Sequence, residues 1–163
     1  MAVELYRIDD RLIHGQVVVG WGQPLDIGFI VLVDDEVAGS DWEQELYRMG
    51  VPPGMDVYFA TVQDAARTHG NYAADPRNGI VLTGDIETMR RLADAVPSIR
   101  TVNLGGIHHR PGRVQRLRYI FLTAAEERAL RELAARGLAV SAQDVPAARP
   151  VPLDEVLSGR ANV

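Results

Sequence analysis

The chain has 163 residues, a formal net charge of −5 and no cysteine. That is the length of one ordinary domain, able to bury a core without covalent staples, and it excludes thiol chemistry. Every one of the 17 Lys/Arg positions is arginine, which removes the P-loop lysine, the Schiff-base amine and the lysine of receiver domains; the acidic balance argues against a general nucleic-acid binder.

Taken in chain order, short β-rich runs alternate with longer helical ones, the pattern of an α/β parallel sheet. Val3 to Ile8 reads as the opening strand. Val17-Val18-Val19 prefers extended backbone, yet a helix starting near His14 or Gly15 is the expectation here. β-branched residues lose only a few tenths of a kcal/mol each in a helix, which packing can override. Ile27 to Val33 is nearly continuous in apolar residues, as a strand buried on both faces should be. A short helix over Asp41 to Met49 ends before Val51-Pro52-Pro53-Gly54. Asp56 to Ala60 is the third strand, and Thr61 caps a helix to about Gly70.

Gly79 to Thr83 is the fourth strand, and Asp85 caps a helix running to Ala95. Ile99 to Leu104 is the fifth, ending in Gly105-Gly106. Leu117 to Leu122 is expected as the sixth. Thr123-Ala124-Ala125-Glu126 forms a capping box, Leu130 and Leu133 face inward, and Gly137 ends that helix. Leu138 to Ala142 is the last strand, before a Pro-interrupted tail with a short helix near Leu153 to Leu157. No run of 18 apolar residues and no charged-then-apolar leader occurs, so neither a membrane span nor a secretory signal is expected.

In such sheets ligands bind beyond the carboxyl ends of the strands, and the first exit carries the most chemistry. His14 stands there with Arg11 three residues before it and Gly15 after it. Neutral imidazole is a nucleophile near pH 7. Arg11 offers a planar fork of donors suited to phosphate oxygens, and Gly15 has no Cβ to hold a tetrahedral anion away from the backbone. Asp9 and Asp10 can orient His14 or Arg11, or merely shape a turn. If the following segment is a helix, its first amides, Gln16 among them, point at whatever sits on His14.

The other candidates are weaker. Asp34-Asp35 suits Mg²⁺ in principle, but such pairs more often cap turns, and no metal site is expected. His108 and His109 are adjacent and cannot easily share one ion, so they read as loop residues. His69 reads as a surface residue. Gly20-Trp21-Gly22 fails the dinucleotide fingerprint, because Leu25 stands where the third glycine belongs. Five arginines (Arg100, Arg110, Arg113, Arg116, Arg118) with two histidines and no acid form a basic strip, either a docking surface for an anionic partner or a solvated loop.

The stretch Arg7-Ile8-Asp9-Asp10-Arg11-Leu12-Ile13-His14-Gly15-Gln16-Val17, with Trp21 following, resembles the signature of the enzyme IIB component of the mannose/sorbose-type sugar phosphotransferase system. The similarity continues through Val33-Asp34-Asp35-Glu36-Val37-Ala38, then Met49 with Pro52-Pro53-Gly54. It extends to Asn103-Leu104-Gly105-Gly106 and to Gly137-Leu138-Ala139-Val140 with Val145-Pro146. The resemblance implies a single domain over 1–163, an open, mostly parallel seven-stranded sheet with helices on both faces.

It also implies a protein-N(pi)-phosphohistidine–sugar phosphotransferase. A IIA protein passes a phosphoryl group to His14, which gives it to a sugar delivered by membrane subunits IIC and IID. Arg11 is then the phosphate-contacting cation, with Gly15 and Gln16 beside it, and no cofactor is needed. The expected location is cytoplasmic, peripherally recruited to the transporter, and a homo-oligomer is compatible with it. Arginine and histidine follow Gly106 where the family pattern carries lysine. Two other readings stand beside this one: a regulatory phosphocarrier acting through protein binding, and a small-ligand module with no transfer chemistry.

Overall fold

The computed structural model describes residues 3–158. Its centre is a seven-stranded sheet made of β1 (Val3–Ile8), β2 (Ile27–Val33), β3 (Asp56–Ala60), β4 (Asn78–Thr83), β5 (Thr101–Leu104), β8 (Ala139–Ala142) and β9 (Val151–Pro152). The order is β3-β2-β4-β1-β5-β8-β9. All pairings are parallel except the last, β8 with β9. The open α/β sheet expected from the alternation of runs is therefore the fold.

Successive strand side chains point to opposite faces, and the apolar residues divide accordingly. Phe29, Val31 and Val33 join a core with Val81, Met89, Leu92, Leu130 and Leu133. That core is covered by α3 (Val62–Ala73), α4 (Ile86–Ala95), α5 (Ala124–Ala135) and α6 (Leu153–Ser158). Ile30 and Leu32 turn the other way, onto Ile80, Leu82, Ile13, Val17, Val18 and Trp21. Burial on both sides is why β2 and β4 read as unbroken apolar runs.

The three valines do form a helix, a six-residue π-helix over Gln16–Trp21. Val17 and Val18 are buried against the second face while Val19 is exposed, so packing has overridden local preference. Asp34 caps the single turn α1 (Asp35–Ala38) through the amides of Glu36 and Val37. Asp35 accepts from the Val62 amide at 2.9 Å and pairs with Arg91 at 3.1 Å. Both carboxylates are thus committed to structure. On α2 (Asp41–Met49) no residue is buried.

Two expectations need correction. Leu117 to Leu122 is not a strand of the main sheet. It contains the turn of an antiparallel hairpin, β6 (Val114–Leu117) and β7 (Ile120–Leu122), reversed at Arg118-Tyr119. The hairpin hangs on the exit of β5, where Ile107 donates to Tyr119 O at 2.9 Å and accepts from the Phe121 amide at 2.8 Å. The seventh sheet strand is instead β9. His69 is also no mere surface residue: it is half-buried in α3 and bonded to the Tyr6 hydroxyl at 2.7 Å.

Gly79 shows how closely the central strands are packed. A Cβ there would lie 2.2 Å from the Phe29 ring, which is itself fully buried. Gly79→Ala is expected to cost about 1–3 kcal/mol through overpacking, read as a lower urea midpoint with an unchanged slope. An unaltered midpoint would show that the Phe29 ring has somewhere to go.

Candidate functional site

β1 lies between β4 and β5, and the connections leaving β1 and β5 go to opposite faces, the π-helix on one and α5 on the other. Such a switch point opens a crevice at the strand ends. The chain leaving β1 still pairs with both neighbours. Asp9 N donates to Thr83 O and Asp10 N to Gly106 O, both at 2.9 Å. It then reverses: Leu12 N bonds to Asp9 O at 2.9 Å, and Leu12 adopts φ +60. That left-handed conformation is costly for a branched side chain, and it is sited in the loop that carries His14.

Asp9 is fully buried and every oxygen is engaged. Oδ1 accepts from the Arg11 amide at 3.2 Å and lies 3.6 Å from Arg11 Nε and 3.3 Å from His14 Nε2. Oδ2 accepts from Arg7 Nη2 and from the Gly106 amide, each at 3.4 Å. Burial pushes this carboxyl up. Contact with His14, the charge of Arg7 and the Arg11 amide outweigh burial and hold it below the usual carboxylate range.

Around His14 the two ring nitrogens differ. Nδ1 accepts from the Gln16 amide at 3.3 Å, so it carries the lone pair and the proton belongs on Nε2. Nε2 is closed to solvent and faces Asp9, off the line of a good hydrogen bond. The ring keeps a partly exposed edge, at 17% side-chain accessibility. A Cβ added at Gly15 would meet nothing within 4 Å beyond its chain neighbours, so the residue that follows His14 stands in open space. The arrangement is an imidazole with Nε2 turned inward to Asp9 and Nδ1 accepting from the Gln16 amide.

Arg11 is half-exposed at 45%, with one guanidinium nitrogen on Gln16 Oε1 at 2.5 Å. The Gln16 amide nitrogen donates to Asp144 Oδ1 at 2.8 Å. The Gln16 side chain is therefore a spacer that positions Arg11, and only its backbone N–H faces Nδ1. Asp10 orients neither His14 nor Arg11. Its carboxylate is taken by His108, through the backbone N–H at 2.7 Å and ring Nδ1 at 2.6 Å.

Arg7 is the residue that sequence reasoning passed over as a functional group. It is fully buried, donates to Asn103 Oδ1, to Gln143 O at 2.8 Å and to Asp144 O at 3.3 Å, and lies 4.8 Å from the Trp21 ring centroid. Trp21 Nε1 also donates to Asp144 O, at 3.1 Å. Burial pushes the guanidinium down, and Asp9 opposes that. A Cβ on Gly105 would lie 2.4 Å from Arg7 Nη2, so only glycine fits there. The signal was available: Arg7 stands between Tyr6 and Ile8 near the end of β1, and a charged residue enclosed there must have a buried partner.

The basic strip is largely neutralised. Arg113 pairs with Glu126, Arg116 with Glu127 and Arg118 with Asp144, at 2.7–2.9 Å. It is not a continuous patch for an anionic partner.

Asp9→Asn keeps the shape and removes the charge that answers buried Arg7, with an expected loss of about 3–5 kcal/mol near pH 7. Asp9 ionises below its unfolded value of about 3.9, so its contribution is complete above that value and disappears as pH falls through the native one. The stability gap between wild type and variant, measured by urea unfolding, should stay level down to about pH 5 and close below about pH 4. A gap constant into strong acid would mean that Asp9 is not charged in the native state.

A family model described as "PTS system sorbose subfamily IIB component" matches residues 3–163. The N-acetylgalactosamine-specific phosphotransferase enzyme IIB component 1 of Escherichia coli K12 is 32% identical over 145 residues, covering 87% of this chain and 90% of that protein. The mannose-specific EIIAB component of the same organism is 30% identical over 89% of this chain. The chain spans about half of that longer relative, 45%. Among solved structures, the IIB domain of the Klebsiella pneumoniae sorbose permease superposes with a TM-score of 0.87 at 29% identity, covering 97% of this chain and 98% of that one.

Proposed function

Because the chain belongs to the sorbose-subfamily IIB components of the phosphotransferase system, we propose that His14 Nδ1 accepts a phosphoryl group from a IIA phosphohistidine and passes it to a sugar delivered by membrane subunits IIC and IID. The observation that carries this reading is the pair of unlike nitrogens: Nε2 enclosed beside Asp9, and Nδ1 meeting only the amide of Gln16 on a ring that keeps a partly exposed edge.

In the first step the donor N–P bond breaks as Nδ1–P forms, in line, through a loose transition state with charge spread over three oxygens. The ring becomes cationic as the bond forms, and buried Asp9, 3.3 Å from Nε2, stabilises that charge where the dielectric is low. Arg11 answers the phosphoryl oxygens, its guanidinium aimed by Gln16. In the second step Nδ1–P breaks as a sugar hydroxyl oxygen bonds to phosphorus and gives its proton to water, and the ring returns to neutrality. Positioning and electrostatics supply the catalysis.

On this reading the chain acts in the cytoplasm, recruited to the membrane by IIC and IID. Among the described residues no helix is long and apolar enough to cross a membrane. Incubation with a phosphorylated IIA protein, followed by mapping of the modified residue, is the direct test. His14→Ala is expected to abolish labelling while the fold persists, and label on any other histidine would remove His14 from the relay. Arg11→Lys retains charge but not the fork, so transfer should slow by roughly tenfold, about 1.4 kcal/mol of barrier. An unchanged rate would reduce Arg11 to a structural part.

A further inference from the structure

The relay leaves one pair at the site without a task, Asp10 and His108. Asp10 is nearly buried, and both of its carboxylate oxygens go to His108, Oδ2 to the backbone N–H at 2.7 Å and Oδ1 to ring Nδ1 at 2.6 Å. Arg113 fixes the same residue from the other side by donating to His108 O at 2.8 Å. Two anchors on a single exposed histidine exceed what a loop needs for its course. They also settle the ring: with Nδ1–H turned to Asp10, Nε2 is the outward nitrogen, and it has no partner among the described residues.

The ring is aimed at the phosphoryl site. The point where Gly106 would carry a Cβ is 3.4 Å from His108 Cε1, 3.6 Å from Asp9 Oδ1 and 3.7 Å from Arg11 Nη2. The imidazole edge, the carboxylate that backs His14 and the guanidinium that faces phosphate therefore border one small space over a glycine.

We propose that His108 is a second phosphate-binding side chain, held by Asp10 and facing the phosphoryl group on His14 from across Gly106, opposite Arg11. This rests on His14 being the phosphoryl acceptor. Charged, His108 presents an Nε2–H donor to a phosphoryl oxygen, and a dianion on His14 in turn favours the charged imidazole. The ionisable groups facing it are Asp9, Asp10 and Arg11 from the β1 exit and Arg113 from the segment leading to the hairpin.

Wild-type protein is treated with phosphoramidate, a small phosphoryl donor, and the species modified at His14 is isolated after mapping by peptide mass spectrometry. The imidazole ¹⁵N resonances are then followed against pH in both forms. His108 is expected to raise its titration midpoint by about half a pH unit or more on phosphorylation. The ³¹P resonance should move with the same midpoint, while His69 on α3 stays unchanged. A modified His14 with an unmoved His108 overturns the proposal and leaves the acceptor in place. A folded protein in which phosphoramidate modifies other histidines and spares His14 overturns the underlying reading as well.

Discussion

A carboxylate with no exposed surface fixes everything around it, and here that carboxylate is Asp9. An ionised acid stays charged in an interior only when donors and cations surround it. Asp9 is surrounded by Arg7, the amides of Arg11 and Gly106, and the imidazole of His14. Those partners come from three pieces of backbone: Arg7 from the β1 interior, Arg11 and His14 from the loop that follows it, and Gly106 from the exit of β5. One charge therefore sets the relative position of the three segments that make the crevice. The same charge faces Nε2 of His14, while the Gln16 amide takes Nδ1.

The fold supplies the conditions under which that arrangement is stable. β1 is the fourth of seven strands in spatial order, so its carboxyl end is flanked by neighbours and shielded on both faces. Arg7 reaches from within that strand to the carbonyls of Gln143 and Asp144 and under the Trp21 ring, which ties the end of β8 to the π-helix. Asp144 then holds Gln16, and Gln16 holds Arg11. The exposed guanidinium is thus positioned through a chain of contacts that begins in the core, and little of its placement is left to the loop itself.

Much of this could be read from residue order. Continuous apolar runs marked β2 and β4 because both faces of the sheet are covered, and Thr123 with Glu126 gave the start of α5 because a capping box has few alternatives. The motif around His14 lies at the exit of β1, the strand end where the order of residues placed it. What escaped has physical reasons. The Arg118-Tyr119 reversal carries no Gly, Asn or Pro to announce a turn, so a hairpin passed for one strand. β9 is two residues long and one is Pro152, which suits only an edge. Asp9 and Asp10 are adjacent and chemically alike, yet backbone alternation sends one inward to Arg7 and the other outward to His108. Pairings such as Arg113 with Glu126 join residues thirteen positions apart, beyond what a local charge count can register.

The charge count at the site carries the last step. Asp9 brings one negative charge, and Arg7 and Arg11 bring two positive ones, while two further acids close by are engaged elsewhere, Asp144 by Arg118 at 2.9 Å and Asp10 by His108. The inner set of Arg7, Asp9 and Arg11 therefore carries one net positive charge until an anion arrives, and its exposed part is Arg11. With Arg113, Arg116 and Arg118 already paired, a broad electrostatic attraction for a partner surface is largely cancelled. What remains is a local, buried excess that a phosphoryl dianion can complete and that water compensates poorly. A site of this kind would tell the phosphorylated from the unphosphorylated imidazole by charge alone, which is what the proposed relay requires.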